Sequence, residues 1–371
     1  MEWDPNAVVY VDRKKMHEYE ARISIGAPAV GYAHEGFDTL KPMPSENGSS
    51  YLVVREGGCR EFSSHAELRE HYNNVGNRDP LFGHFDRLEH TIGCSKALKK
   101  LPIEKKEFVR YFRELVEENA ALYEESLGHH PPFYARAMVW QDKKQETQRD
   151  KIGVANNAPA RWAILITPYT PYIETKKDGS EENPLGAMLV DSPRLIPPEC
   201  MDRRAKLAPR YGLMANGTHT AREFVYHEAI LKDMKGNVGE GGGENLVCYR
   251  KGIFIIPLSD SVLPGFTQDF FVLSAKLAGY PVEEAVLKPD DLRGMEAMWF
   301  TGTAAGLELI WRLGNEQGKQ IWTPRFSADE YKNGKAPTAI LEVTSDFNDY
   351  MLGKKKLPEE YRPVISEISM N

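Results

Sequence analysis

Several features that would place a chain in a specialised class are missing from this sequence. The longest apolar run, Trp162 to Thr167, has the length of one strand, whereas a membrane-spanning helix needs about 18–20 apolar residues. The four cysteines show no C-x-x-C spacing, and the ten histidines show no H-E-x-x-H spacing. We therefore expect neither a membrane span, nor a disulfide framework, nor a metal site.

Positive charge is also in the minority. With 47 Lys and Arg against 54 Asp and Glu, the formal net charge is −7 and the pI is about 5.9. This balance disfavours a nucleic-acid partner. The first residues, Met-Glu-Trp-Asp-Pro, have neither the basic region nor the apolar stretch of a signal peptide. The spacing of the cysteines fits a reducing cytoplasm, where we expect the protein to be.

The length and composition of the chain predict two globular domains. Its 371 residues, of which 41% are hydrophobic and 27% charged, can bury two separate cores. The polar segment 176–183 (KKDGSEEN) is the best candidate for a linker. We therefore predict a smaller N-terminal domain, a linker and a larger C-terminal domain, at 1–175, 176–185 and 186–371.

Segment 43–83 differs in composition from the rest of the first domain. Ser, Asn, Gly and charged residues dominate it, interrupted by the apolar stretch Tyr51–Val54. We predict that this segment is an insertion on the surface of the domain, with one strand and a short helix at Ser64–Tyr72.

Apolar periodicity predicts an α+β chain. Glu104–Leu127 is the clearest helix, because its apolar residues recur at helical spacing on one face. A second helix is predicted at Thr267–Leu277, and a hairpin joins Leu246–Tyr249 to Ile253–Pro257. The remaining strands are predicted at Ala7–Val11, Ala21–Ile25, Phe133–Gln141, Ala163–Thr170, Gly186–Val190, Glu228–Asp233, Val282–Leu287 and Ala297–Thr301.

Three turns of small residues are the most informative feature of the C-terminal third. They are Gly239–Asn245, Leu263–Asp269 and Thr301–Gly306. The first carries a carboxylate, the second opens a helix, and the third has two hydroxyls beside bare backbone N–H groups. One acidic group and two turns that can bind an anion suit a ligand with a phosphate at one end and a basic nitrogen at the other. Pyridoxal 5'-phosphate is such a ligand.

Taken in order, these segments resemble the class IV (fold type IV) pyridoxal-phosphate enzymes, whose best-known members are the branched-chain amino acid aminotransferases. HEAILKDMKGNVGEGGGENLV, VLPGFTQD and FTGTAAG are similar to the family's Glu-Gly, L-P-G-x-T-R and S-G-T-A turns. Upstream, YVDRKKMHEYEARISIGAPAVGYAHEGFDTL, HFDRL and FYARAMVW are similar to its N-terminal strands and F-E-G turn, its H-x-x-R-L and its Y-I-R-P strand. The resemblance covers most of the chain, leaving out chiefly 43–83 and the tail. It implies a small α/β N-terminal domain, a larger barrel-like α/β C-terminal domain and a homodimer.

The resemblance also implies which residues hold pyridoxal 5'-phosphate. Lys206 stands where the family has the lysine that forms a Schiff base with the cofactor, and Tyr211 would contact the phenolic oxygen. Glu240 would keep the pyridine nitrogen protonated, with Glu244 as its rival. Arg87 would bind the phosphate, although an ungapped alignment places His90 there. The remaining phosphate contacts implied are Phe266, Thr267 and Thr303.

A second set of residues matches the family's substrate pocket, and it contains this chain's departures from the family. Asp38-Thr39 stands where the family has Glu-Gly, Ala208-Pro209-Arg210 replaces Gly-Gly-Asn beside the lysine, and Gln268 replaces an arginine. Arg210 would add a cation that binds an acidic substrate. The substrate-binding residues implied are Tyr32, Phe37, Tyr134, Arg136, Arg210 and Ala304.

The reaction that the resemblance implies is transamination between an amino acid and a 2-keto acid, with Lys206 moving the proton at the substrate Cα. The departures from the family favour a specialised member with an unusual substrate, of the kind found in secondary metabolism. Two alternatives stay open. One is a lyase of the aminodeoxychorismate-lyase type, which uses the same lysine, and the other is a non-catalytic ligand-binding protein on the same scaffold.

Overall fold

The computed structural model describes residues 4, 6–22, 27, 29–30, 33–46, 48–54, 81–98, 100–142, 158–171, 173, 184–359, 361 and 365–370. Tyr32, the helix predicted at Ser64–Tyr72 and the linker segment 176–183 lie outside these residues, as does most of the strand predicted at Ala21–Ile25. Within the described residues, no helix is both long and apolar enough to cross a membrane.

The first half of the described chain is built on an antiparallel sheet with helices against it. The elements are β1 (Val8–Val11), β2 (Lys14–His17), a 3-10 turn (Glu18–Glu20), β3 (Glu35–Leu40), β4 (Met43–Pro44), β5 (Ser50–Val54), α1 (Phe82–Cys94), α2 (Lys105–Leu127), β6 (Phe133–Gln141) and β7 (Ala160–Pro168). Five of these strands form a sheet in the order β2-β1-β7-β6-β3, and every pairing in it is antiparallel.

Helix α2 confirms the prediction made from its periodicity, and its ends explain its bounds. The Glu104 side chain accepts from the backbone of the first turn, and the Glu107 side chain accepts in return from the Glu104 N–H. At the other end Gly128 takes the left-handed conformation, with φ of 72°, which favours glycine. The apolar face, with Phe108 and Phe112, packs in a core shared with β6 and β7.

The second half contributes two further five-stranded sheets. Its elements are β8 (Gly186–Leu189), α3 (Ala208–Glu223), β9 (Glu228–Lys232), β10 (Val238–Gly241), β11 (Asn245–Arg250), β12 (Ile253–Pro257), α4 (Phe266–Leu277), β13 (Val282–Ala285), a 3-10 helix (Pro289–Gly294), β14 (Ala297–Gly302), β15 (Gly306–Leu309), β16 (Arg312–Gly314), β17 (Gln320–Trp322), α5 (Ala328–Lys332), α6 (Thr338–Met351) and β18 (Ile365–Ser369). The sheet orders are β10-β9-β8-β16-β17 and β13-β12-β11-β14-β15.

These two sheets enclose one apolar core, as a barrel-like arrangement requires. Side chains from the first sheet, among them Leu189 and Ile230, meet Leu246 and Phe300 from the second in a single cluster. On the opposite face of the second sheet, α4 and α6 bury another cluster that is rich in aromatic side chains. The chain is therefore α+β, with an antiparallel first sheet and mixed sheets in the second half.

The C-terminal strand crosses back to the first half of the chain. β18 pairs with β5 along its full length in a three-stranded sheet, β18-β5-β4. Tyr51 and Val53 on β5 are buried with Ile368 in the first core. The strand predicted in segment 43–83 is therefore part of the core rather than of the surface, while the expectation of an insertion stays a prediction. The domain limits at 1–175 and 186–371 stay a prediction.

The local predictions around the turns agree well with the structure. The predicted hairpin is formed by β11 and β12, with Arg250 opposite Ile253. Helix α4 begins at Phe266 after Gly265 as its N-cap, rather than at Thr267, and Gly279 follows its end with φ of 84°.

Helices α3 and α6 are additions to the predicted elements. The segment that forms α3 has no regular apolar stripe in the sequence, because small and polar residues occupy most of its positions. In α6 the signal was present, since Ile340, Val343, Phe347 and Tyr350 recur at helical spacing and are all buried.

Candidate active site

Lys206 lies immediately before α3, and its backbone is fixed from two sides. Its N–H donates to Thr91 Oγ1 on α1 at 3.0 Å, and its carbonyl accepts from the N–H of Phe37 on β3 at 3.1 Å. Gly36 allows this close approach, since a Cβ there would lie 2.8 Å from the Thr91 methyl group. The two halves of the chain thus meet at this residue.

The Lys206 amine is held in a poorly hydrated place between aromatic rings. The side chain is buried, and Nζ lies 5.4 Å from the ring centroid of Phe37 and 5.3 Å from that of Tyr211. Burial lowers the pKa of Lys206 to about 8; the charge of Arg87 also lowers it, while Asp38 opposes the shift. At pH 7 about one lysine in ten is then neutral, against on the order of one in 3,000 for an ordinary lysine.

Arg87 lies against the second turn. Its guanidinium stacks on the Phe266 ring, 3.1 Å from the centroid, and its Nη1 lies 3.6 Å from Asp38 Oδ1. Nη2 is buried and has no hydrogen-bond partner among the described residues. A buried donor without a partner is costly. An anionic group beside Phe266 would supply the acceptor that Nη2 lacks.

Asp38 anchors this end of the site and was not expected to do so. His84 Nδ1 contacts Asp38 Oδ2 at 2.8 Å, while His84 Nε2 contacts the Val54 carbonyl at 2.9 Å. Burial by itself would raise the pKa of Asp38, but Arg87 and His84 more than offset it, so that the pKa is lowered. The carboxylate therefore stays ionised and holds Arg87 and His84 in place.

The second and third turns come together around a small cavity, as the sequence predicts. Thr267, in the first turn of α4, and Thr303, between β14 and β15, both line it. Lys41 lines the same cavity and was missed. Burial lowers the pKa of Lys41 to about 8, and Glu308 opposes the shift. Two hydroxyls, a helix N-terminus and a buried amine suit an anion such as a phosphate.

Glu240 is held by three donors at the opposite end of the site. Its Oε1 accepts from Arg210 Nη2 at 2.9 Å, and its Oε2 accepts from Asn245 Nδ2 and the Leu263 N–H, each at 3.1 Å. Burial raises the pKa of Glu240, and Arg210 works against that rise. The carboxylate is thus fixed in orientation, and two of the three turns are joined through it.

Arg210, which was predicted to bind the substrate, is instead buried against Glu240. The side chain is 1% exposed, and besides Glu240 its Nη2 donates to the Ser261 carbonyl. The cation introduced beside the lysine is therefore directed at the carboxylate of the first turn. Its part in substrate binding stays a prediction that no contact of the described residues supports.

Glu244, the alternative partner for the pyridine nitrogen, lies near another carboxyl group, whereas Glu240 is paired with a cation. Burial and then the charge of nearby Glu228 raise its pKa well above the ordinary value. Its Oε2 accepts from the Gly243 N–H at 3.1 Å, and its Oε1 has no partner among the described residues. This shift favours the protonated form of Glu244, whereas Glu240 is paired with the Arg210 cation, so Glu244 is less suited than Glu240 to face a cationic nitrogen.

Two of the predicted substrate residues, Phe37 and Arg136, line a cavity of about 390 Å³ next to Lys206. Phe37, Arg136 and Tyr211 line it, together with Thr218, His219 and Arg222 from α3, which were not predicted. Arg136 Nη2 donates to the Tyr134 hydroxyl at 3.1 Å, and its guanidinium lies 4.8 Å from the Phe37 ring centroid. Ala304 is partly buried in the third turn. Tyr32 lies outside the described residues.

The sequence of this chain is similar to that of a known family of enzymes. Residues 77–309 match the family model described as amino-transferase class IV. The chain belongs to this family. Among curated relatives, the branched-chain-amino-acid aminotransferase of Escherichia coli (strain K12) is 32% identical over 161 residues, 42% of this chain and 50% of that protein. That of Salmonella typhimurium (strain LT2) is 40% identical over 86 residues, 23% of this chain and 28% of that protein. The chain thus spans half or less of the length of these relatives.

Solved structures share the fold over nearly the whole chain. A branched-chain aminotransferase from Thermoproteus uzoniensis with norvaline has a TM-score of 0.71 at 21% identity, covering 98% of this chain and 99% of that one. A branched-chain amino acid aminotransferase from Thermobaculum terrenum in its PLP-form has a TM-score of 0.72 at 16% identity, covering 99% of this chain and 100% of that one. The fold is therefore that of the fold type IV branched-chain aminotransferases.

Proposed function

We propose that this class IV family member is a pyridoxal 5'-phosphate-dependent aminotransferase that moves an amino group between an amino acid and a 2-keto acid. The observation that carries the proposal is the buried Lys206 amine, with its pKa lowered to about 8, set between donors for a phosphate and the fixed carboxylate of Glu240. When bound, the cofactor supplies an aldehyde carbon that takes up the amino group and a ring that accepts electrons from the substrate Cα.

The phosphate end of the cofactor would be held by groups that suit an anion. Arg87 would direct its unsatisfied Nη2 to the phosphate, with Thr267 and Thr303 adding their hydroxyls. The backbone N–H groups of Phe266 and Thr267 lie in the first turn of α4, where a helix favours an anion. Lys41 would add a positive charge to the same cavity.

Lys206 would hold the cofactor through its neutral amine and afterwards move the proton at the substrate Cα. Burial and the charge of Arg87 favour the neutral form, which is the nucleophile and the base. Burial also raises the pKa of Tyr211, so its hydroxyl keeps its proton and can donate it to an oxygen of the cofactor. Lys206 Nζ lies 5.3 Å from the ring centroid of Tyr211, so both side chains are near the same part of the site.

Glu240 would accept a hydrogen bond from the protonated ring nitrogen. Arg210 supports this role, because it opposes the rise in the pKa of Glu240 that burial causes and so favours the ionised carboxylate. Asn245 and the Leu263 N–H fix the orientation of the carboxylate. A specialised substrate, a homodimer and a cytoplasmic location belong to the same proposal, as does substrate binding by Phe37, Tyr134, Arg136 and Ala304.

The proposal is tested by following the visible absorbance of the cofactor on the purified chain. We expect pyridoxal 5'-phosphate to produce a visible band, and a suitable amino acid from a donor panel to bleach it without any keto acid present. Lys206→Ala should remove the band, whereas Lys232→Met, which changes another buried lysine paired with Glu316, should retain it.

Other outcomes separate the alternatives. A band that no amino donor changes would contradict the aminotransferase assignment. Release of pyruvate without an amino acceptor would indicate a lyase of the aminodeoxychorismate-lyase type. A chain that takes up no cofactor at all would indicate a non-catalytic binding protein.

A further inference from the structure

Three side chains with metal-binding groups meet at the junction between α1 and the segment that leads to Lys206. His90 and Cys94 lie one helical turn apart on α1, and Asp202 approaches them from the segment before α3. His90 Nε2 lies 3.1 Å from Asp202 Oδ2 and 3.5 Å from Cys94 Sγ. The three ligand atoms all lie within 4.8 Å of one another.

The two separations that involve His90 match edges of a tetrahedral zinc site. With usual zinc–sulfur, zinc–nitrogen and zinc–oxygen bonds, tetrahedral geometry places sulfur about 3.5 Å from nitrogen and nitrogen about 3.3 Å from oxygen. We propose that His90, Cys94 and Asp202 bind a divalent cation of the zinc type, leaving a fourth position for water. This site is separate from the proposed cofactor site and does not depend on its function.

The donor set suits such a cation better than calcium or magnesium. A thiolate and an imidazole are preferred by zinc and cobalt, whereas the harder cations take oxygen ligands. Binding replaces the thiol proton of Cys94 by the metal and releases that proton to solvent. The side chains of His90 and Asp202 are 34% and 31% exposed, so the cation can enter from water.

Arg204 competes for the same carboxylate. Its guanidinium donates to Asp202 Oδ1 at 3.3 Å and to Oδ2 at 3.0 Å. The Arg204 side chain is 62% exposed. A bound metal would therefore compete with an exposed ion pair for Asp202 Oδ2, and such pairs contribute little to stability.

The position of the site gives the cation a structural consequence. His90 lies three residues after Arg87 on α1, and Asp202 lies four residues before Lys206. A cation shared by these side chains would tie α1 to the segment that carries the lysine. It would therefore hold two candidate cofactor residues at a fixed separation.

Cobalt titration of the full chain tests the proposal, with and without pyridoxal 5'-phosphate. We expect one Co²⁺ per chelator-treated chain, with the intense long-wavelength visible bands of a tetrahedral site, which Zn²⁺ abolishes by displacement. Cys94→Ser and His90→Ala should each weaken binding by at least about tenfold. Cys200→Ser and His129→Ala change an exposed cysteine and histidine outside the cluster and should leave it unchanged.

Arg204→Ala is expected to increase the affinity for Co²⁺, and a misfolded variant would not show such an increase. Removing the competing guanidinium should lower the dissociation constant for Co²⁺, while Arg203→Ala, at the neighbouring exposed arginine, should not. Equal affinity in the wild-type chain, Cys94→Ser and His90→Ala would overturn the proposal. So would weak octahedral bands, or Arg204→Ala binding no more tightly than the wild-type chain.

Discussion

At the scale of single residues, the site is a set of buried charges that control one another. Lys206 lies among Arg87, Asp38 and Glu240, and each of these charges shifts its pKa. Asp38 is the main group that opposes the loss of the lysine proton. The lowered pKa of the amine therefore comes from burial first and from the surrounding charges second.

The first prediction concerns the pH dependence of this amine. Because the pKa of Lys206 is lowered to about 8, the neutral fraction should rise roughly fiftyfold between pH 6 and pH 8 and little thereafter. The rate at which cofactor-free protein takes up pyridoxal 5'-phosphate should follow this curve. In Asp38→Asn the midpoint should move below 8. A midpoint near that of an ordinary lysine would contradict the prediction.

The same pKa shift fixes the sign of a stability effect. The pKa of Lys206 is lower in the folded chain than in the unfolded chain, where it is near the ordinary 10.5. Between about 8 and 10.5 the unfolded state binds more protons, so this group makes stability rise with pH across that window. Lys206→Met should remove this contribution, and urea unfolding at several pH values measures the difference.

The second prediction concerns the buried pair of Arg210 and Glu240. Arg210→Ala leaves a buried carboxylate without its cation, so the free energy of unfolding should fall by about 3–5 kcal/mol. Combining Arg210→Met with Glu240→Gln should restore part of the loss. Urea unfolding measures both. Arg293→Ala, at an exposed arginine paired with Asp290, should change it by at most about 1 kcal/mol.

At the scale of elements, the first and second turns are joined because side chains of the first form hydrogen bonds with the backbone of the second. Asn245, at the start of β11, donates to Glu240 and to the Leu263 carbonyl. Gly265 precedes α4 and packs directly against Asn245, since a Cβ there would lie 1.9 Å from its Oδ1. The turn before α4 therefore needs glycine to keep Glu240 in place.

The third prediction follows from that contact. Gly265→Ala should push Asn245 away from Glu240 and lower the free energy of unfolding by about 1–3 kcal/mol. Gly212→Ala is a matched control, because its Cβ would meet nothing within 4 Å inside α3. That change should be neutral or stabilising by up to about 1 kcal/mol. Urea denaturation distinguishes the two, and equal effects would refute the explanation.

At the scale of the whole molecule, the C-terminal strand joins distant parts of the chain. β18 completes the sheet around β5, and Ile368 is fully buried in the core of the first half. The second half of the chain therefore supplies part of the core of the first. This pairing couples the stability of the predicted domains.

The fourth prediction tests this coupling. Ile368→Ala should lower the free energy of unfolding by about 2–5 kcal/mol, because it leaves a cavity in the first core. Glu367→Ala, at the exposed neighbouring position, should change it by less than about 0.5 kcal/mol. If the halves are coupled, Ile368→Ala should lower the midpoints of both in urea unfolding. A drop confined to one half would contradict the coupling.

Much of the candidate site was predictable because its parts are local in sequence. The Gly-rich turn with Glu240 and the turn at Thr303 each lie within a few residues, and the ends of α2 follow from Glu104 and Gly128. The partners of these groups were not predictable. Arg210 and Glu240 are 30 residues apart, and His84 and Asp38 are 46 apart, so only folding brings them into contact.

The sequence by itself determined the turns, the long helix and the family resemblance, because turn chemistry and apolar periodicity act between near neighbours. Tertiary structure alone decided the charge state of Lys206, the partner of Arg210 and the meeting of His90, Cys94 and Asp202. It also decided the place of β18 in the first core. These depend on burial and on charges brought within a few ångströms, and both arise only when distant segments pack together.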